Sequence, residues 1–191
     1  GDLAVGLPGA NGGTGKVTVV NGRPGGWPAP NLGEMEPLTA NSPSFLGGSG
    51  DRLGTVIQAA GDVHSDGLDD LLVGDPDNNR GMLILGNATN FAFEQSFDQP
   101  ANSRIQLITQ GSGESLSSLS ATGLAGVGDV TNDGAADMLV TVSTTNGSRV
   151  YLLPGDTPIF GNQGLDTLSA AYLDTASTNV SVAGVGDVNN D

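Results

Sequence analysis

The chain has 191 residues, enough for one domain with a buried core. Its 21 Asp and Glu against 6 Lys and Arg give a formal net charge of −15, which excludes a nucleic-acid or anionic-membrane partner because no basic stripe exists to meet phosphates. Cysteine is absent, which excludes disulfide and thiol chemistry, and no apolar run approaches the roughly 20 residues of a membrane-spanning helix.

In chain order, the first predicted strand is the apolar run after Asp2, Leu-Ala-Val-Gly6, and the second is Lys16-Val-Thr-Val-Val20, with a Gly-rich turn at 12–15 between them. Residues 21–50 carry Pro24, Pro28, Pro30, Pro37, Pro43 and the single tryptophan, Trp27. They are expected to form a long irregular connection. A Gly/Ala/Val-rich strand follows at 54–61, and it leads into Asp62-Val-His-Ser-Asp66-Gly67-Leu-Asp-Asp70. Strands Asp70-Leu-Leu-Val-Gly74 and Met82-Leu-Ile-Leu85 come next, joined by a turn at 78–81. A fourth is predicted near 104–109.

The same order then repeats. A strand over 121–128 enters Asp129-Val-Thr-Asn-Asp133-Gly134-Ala-Ala-Asp137, followed by Met138-Leu-Val-Thr141 and Arg149-Val-Tyr-Leu-Leu153. Asn146-Gly147 between these two is a hairpin signal, since both residues tolerate positive φ. Residues 165–172 form either a fourth strand or a helical turn. A third copy starts with 180–186 and Asp187-Val-Asn189-Asn-Asp191. The runs are short, rich in branched side chains and punctuated by Gly, Pro, Asn and Asp, so they read as strands rather than helices.

Three Asp fall at positions 1, 5 and 9 of each complete nine-residue loop, with Gly at position 6. Carboxylates this close repel one another unless a cation lies between them. Hard oxygen ligands in a loop where Gly permits a sharp turn suit Ca2+. An EF-hand or dockerin loop begins similarly but needs a bidentate acid at position 12, where Val73 and Val140 stand here. The remaining alternative is an Asp-rich turn without an ion. Asp62, Asp129 and Asp187 are spaced by 67 and 58 residues, a period that signals a propeller, solenoid or array. Four short strands per repeat favour propeller blades. The expected fold is all-β, with about three blades of four antiparallel strands in units at 1–50, 51–115, 116–175 and 176–191. Because both chain ends fall inside acidic loops, a segment of a longer protein is expected.

The order resembles the FG-GAP repeat of integrin alpha-subunit propellers and bacterial surface proteins. The residues that carry the resemblance are 61–76, 128–140 and the Gly-Ala-Pro-like element Gly6-Leu-Pro-Gly-Ala10, with Phe45-Leu-Gly47 or Leu53-Gly54 in place of the Phe-Gly half. The resemblance implies that each loop joins the first two strands of a blade. It also implies that side chains at positions 1, 3, 5 and 9 and the carbonyl of position 7 bind Ca2+. Carried over, the first site uses Asp62, Asp66, Asp70 and the Leu68 carbonyl. The second uses Asp129, Thr131, Asp133, Asp137 and the Ala135 carbonyl, and the third has Asp187, Asn189 and Asp191. Asp2 would be the last ligand of an earlier site. His64 stands at position 3, where Asp or Asn is usual, and imidazole suits transition metals better than calcium.

The implied role is a calcium-binding extracellular or cell-surface module for adhesion, meeting a protein or glycan partner or neighbouring blades. The alternatives are a building block of a surface layer or filament and an accessory domain of a secreted hydrolase. No enzyme is expected in the chain itself. Its only histidine, His64, lies in an acidic loop, and Glu34, Glu36, Glu94 and Glu114 lie in connections with no motif around them. The 21–50 connection is the candidate contact region, with packing between blades as the equal alternative. The sequons at Asn87, Asn146 and Asn179 matter only in a eukaryotic secretory setting.

Overall fold

The computed structural model describes residues 1–22, 42–78, 80–87, 94–96, 105–108, 118–156, 164–186 and 188. Trp27, most of the 21–50 connection, Glu34, Glu36, Glu114 and the third-loop residues Asp187, Asn189 and Asp191 lie outside them.

The described chain is all-β, built from three four-stranded sheets. The first sheet has the order β1 (Leu3–Leu7), β2 (Lys16–Val20), β3 (Ser44–Leu46), β7 (Glu94–Ser96). The second runs β4 (Val56–Gly61), β5 (Asp70–Asp75), β6 (Arg80–Ile84), β8 (Ile105–Ile108). The third runs β9 (Ser118–Gly128), β10 (Asp137–Thr144), β11 (Gly147–Leu153), β12 (Ala171–Thr175). The second and third are antiparallel throughout. In the first, β3 and β7 pair in parallel, which departs from the expected all-antiparallel pattern; β7 follows β6 of the second sheet in sequence and so is not joined to β3 by a hairpin.

Other differences are local. β3 lies inside the 21–50 stretch expected to be irregular, and Glu94 opens a strand rather than sitting in a connection. The β10–β11 hairpin turns on Thr145 and Asn146, because Thr144 pairs with Gly147. Of the expected Asn146-Gly147 pair only Gly147 has a positive φ, at 140°. Both options for 165–172 occur in succession, as a one-turn helix α1 (Leu165–Leu168) followed by β12.

Strand side chains alternate between faces, and the second sheet uses both. Leu72 on β5 and Leu83 on β6 point into a core shared with Leu124, Met138, Val140, Val142, Tyr151 and Leu153 of the third sheet. Their neighbours Val73, Met82 and Ile84 point the opposite way, into a core shared with Val17 and Phe45 of the first sheet and with Leu53, which bridges to Gly15 ahead of β4. The continuous apolar runs of β5 and β6 follow from this burial on two sides. The sheets therefore stack in chain order, the second between the first and third.

Within the third sheet Thr141 is fully buried, and its hydroxyl has no hydrogen-bond partner among the described residues. An unsatisfied buried hydroxyl costs about 1–3 kcal/mol. Thr141→Val, close to isosteric, is expected to raise stability by about 1 kcal/mol, read as a higher urea midpoint with an unchanged slope. On the outer edge Arg149 grips Asp174 with two bonds, Nε to Oδ1 at 2.5 Å and Nη2 to Oδ2 at 2.8 Å, while its guanidinium lies 4.3 Å from the Tyr172 ring centre. The Arg149 hydrogen bonds hold the Asp174 carboxyl below its ordinary value of 3.8. A depressed carboxylate contributes stability that is present above the unfolded value and lost as pH falls through the folded one. A carboxyl-carbon NMR titration of Asp174 should therefore show a midpoint under 3.8, returning upward in Arg149→Gln.

Candidate metal site

Each acidic loop bridges the first two strands of a sheet: 62–70 joins β4 to β5, and 129–137 joins β9 to β10. Their backbones follow one path. Gly61 and Gly128 enter with φ of 79° and 73°, Ser65 and Asn132 turn left-handed at 56° and 58°, and Gly67 and Gly134 repeat this at 85° and 96°. At position 6 the conformation favours glycine, as its place in both motifs suggests.

The hydrogen bonds repeat as well. The position-1 carboxylate receives the N–H groups of positions 5 and 6. Asp66 and Gly67 donate to Asp62 at 3.0 and 2.8 Å, and Asp133 and Gly134 donate to Asp129 at 3.0 and 3.0 Å. The position-5 carboxylate receives the N–H of position 7, from Leu68 to Asp66 at 3.0 Å and from Ala135 to Asp133 at 2.9 Å. These carboxylates stand at the open side of the loop, whereas Asp70 and Asp137 at position 9 are buried.

Position 9 ties the loop to the sheet. Asp70 accepts from Val63 N at 2.9 Å and from Gly86 N at 2.7 Å, beyond the end of β6. Asp137 accepts from Val130 N at 2.7 Å, Thr131 N at 2.8 Å and Gly155 N at 2.8 Å, beyond the end of β11. Asp2 repeats the last of these bonds with Gly22 N at 2.7 Å. Gly22, Gly86 and Gly155 are thus a set of loop-anchoring positions that sequence reasoning missed. A Cβ on any of them would press within 3 Å of a neighbouring loop, for example 2.6 Å from the Ala136 carbonyl oxygen at Gly155. Their signal was present: a Gly one or two residues after the apolar run in every unit.

The two loops differ at position 3. His64 places Nδ1 3.2 Å from Asp70 Oδ2 and Nε2 3.3 Å from Asp66 Oδ2. Thr131 gives its hydroxyl to Asp137 Oδ1 at 3.2 Å. In the first loop Asp62, His64 and Asp70 each bring a ligand atom within 4.8 Å of the others, the one such group among the described residues. The carboxylates of Asp129, Asp133 and Asp137 do not converge that closely.

The loops also touch. Ala136 N donates to Asp62 O at 2.9 Å, and Asp156 N to Val63 O at 2.6 Å. Val63 is buried beneath this contact, while its counterpart Val130 is 58% exposed. No protein-family model matches the chain, and no curated protein matches it.

Proposed function

We propose that the chain is a calcium-stabilised β-propeller segment of the FG-GAP kind, from an extracellular protein that acts in adhesion or recognition. The observation that carries the reading is the duplication just described: two loops, far apart in sequence, share Asp positions, left-handed turns and hydrogen bonds. Three sheets stacked in chain order, the second and third each with such a loop between their first two strands, agree with successive blades.

The first loop brings two carboxylates and one imidazole together, which suits a hard cation if the His64 ring turns aside and leaves the oxygens to it. A carboxylate offers about four lone-pair sites. Two are taken on Asp62, one on Asp66 by a backbone N–H and two on Asp70, with His64 lying against both of the latter. Asp62, Asp66, Asp70 and the Leu68 carbonyl would hold the ion, and Ca2+ would cancel their mutual repulsion. In the second loop Asp129, Asp133 and the Ala135 carbonyl would hold it. Asp137 already meets four donors there, so the Thr131 hydroxyl would have to turn from Asp137 toward the ion. That difference makes the second site the weaker.

Calorimetric titration of chelator-treated protein with CaCl2 is the test. Millimolar or tighter binding that drops by one site in Asp62→Asn is expected. The absence of any binding heat up to 10 millimolar, a range set by the ~10⁻⁴ to 10⁻³ M constants of extracellular calcium modules, would return the loops to ion-free Asp turns.

A further inference from the structure

The two acidic loops agree in their Asp positions and left-handed turns but part at position 3, where His64 stands in the first and Thr131 in the second. His64 is the chain's single histidine, and no cysteine accompanies it. Its ring sits between two carboxylates, with Nδ1 3.2 Å from Asp70 Oδ2 and Nε2 3.3 Å from Asp66 Oδ2. Both separations are long for a charge-assisted hydrogen bond, which closes to about 2.7–2.9 Å. A neutral imidazole carries one N–H, and an ionised carboxylate only accepts. One ring nitrogen therefore turns a lone pair toward an oxygen that also has only lone pairs. A metal ion bound by both atoms removes that conflict.

The surroundings of Nδ1 are built for one. Asp62, His64 and Asp70 bring one ligand atom each within 4.8 Å of the others. Asp70 is buried, its oxygens fixed by Val63 N at 2.9 Å and Gly86 N at 2.7 Å, and Asp62 is fixed by Asp66 N and Gly67 N. The 3.2 Å between Nδ1 and Asp70 Oδ2 is close to the about 3.3 Å spanned by two ligands ~2.0 Å from a tetrahedral ion. On the other side of the ring Nε2 meets Asp66, and a metal-bound histidine usually gives its second N–H to a carboxylate. Asp66 in turn is oriented by Leu68 N, at 3.0 Å on its other oxygen.

We infer that the first loop is a mixed nitrogen–oxygen site that prefers a transition ion of the Zn2+ class to Ca2+, with His64 Nδ1, Asp62 and Asp70 as ligands. The inference rests on the reading above that the acidic loops hold cations. Ca2+ takes roughly six to eight oxygens, so it uses this loop only with the imidazole swung out. Zn2+ accepts imidazole and carboxylate together, in a four-coordinate shell that water completes. At the same position the second loop offers the Thr131 hydroxyl, an oxygen. The two loops thus sort ions by donor chemistry, and the second keeps to Ca2+.

Titration of the chelator-treated chain with ZnCl2 is expected to show one site, at least ~10-fold tighter than the same loop's site for Ca2+. His64→Thr gives the first loop the residue with which the second already folds. It also keeps all 21 acidic groups, and so measures the general attraction of Zn2+ to so anionic a chain. The tight site should vanish in this variant while Ca2+ binding persists. Zn2+ loaded first should remove one Ca2+ site from the wild-type chain and none from His64→Thr. Nitrogen NMR of the lone imidazole identifies the atom: Nδ1 should shift on Zn2+ binding while Nε2 keeps its proton. The inference is overturned by the lack of a tight Zn2+ site, by a site that survives His64→Thr, or by protons on both ring nitrogens with Zn2+ present. Calcium binding in both loops without a zinc site leaves the proposal above standing and sinks this one. A zinc site at His64 with no calcium heat from either loop does the reverse.

Discussion

Asp137→Ala is expected to destabilise the chain by about 3–5 kcal/mol, as large a loss as one residue gives outside a disulfide or metal. The carboxylate is wholly buried and accepts from Val130 N, Thr131 N, the Thr131 hydroxyl and Gly155 N. Removing it strands several donors at once, each costing about 1–3 kcal/mol before water enters the gap. A domain holds only about 5–15 kcal/mol in total, so the variant should sit close to unfolding at room temperature. Asp133→Ala provides the contrast. Asp133 is exposed and its recorded acceptor contact is one backbone N–H, from Ala135, so its loss should cost about 1 kcal/mol. Urea midpoints in EDTA compare the pair without any contribution from an ion. Equal losses would mean that position 9 does not clamp loop to sheet.

That contrast shows what the sequence made legible. The acidic register, the Gly at position 6 and the strands that follow each loop were all visible, because each is dictated by local chemistry: charge spacing, a left-handed turn, β-branched runs. Val73 and Val140, the residues that argued against an EF-hand, lie buried in β5 and β10. The division of labour among the aspartates was not visible. Nothing within Asp129 to Asp137 distinguishes the exposed Asp133 from the buried Asp137. The difference comes from Gly155, 18 residues downstream, which the sheet carries back to the loop. Pairings made at long range were equally hidden, among them β3 emerging from a Pro-rich stretch and its parallel neighbour β7. His64 stood out as an odd ligand in sequence; its seat between two carboxylates needed coordinates.

Calcium should raise thermal stability by an amount that the site chemistry bounds. For a site with a dissociation constant of ~10⁻⁴ to 10⁻³ M, as in extracellular modules, 10 millimolar free ion contributes about 1.4–2.7 kcal/mol by mass action. Two loops acting independently would add to about 3–5 kcal/mol, a rise in melting temperature of roughly 5–20 °C for a chain of this size. A net charge of −15 raises a competing explanation, since any salt relieves self-repulsion in so acidic a chain. Screening and ligation separate cleanly. NaCl at matched ionic strength reproduces screening but not ligation, and Mg2+ is disfavoured in a loop too irregular for its octahedral demand. Asp129→Asn removes one charge out of 21 acidic groups, which barely alters screening, yet it should abolish the second loop's share of the gain. If NaCl matches CaCl2, both loops are solvated turns held by their own N–H and side-chain donors; if Asp129→Asn leaves the calcium increment intact, the second loop holds no ion.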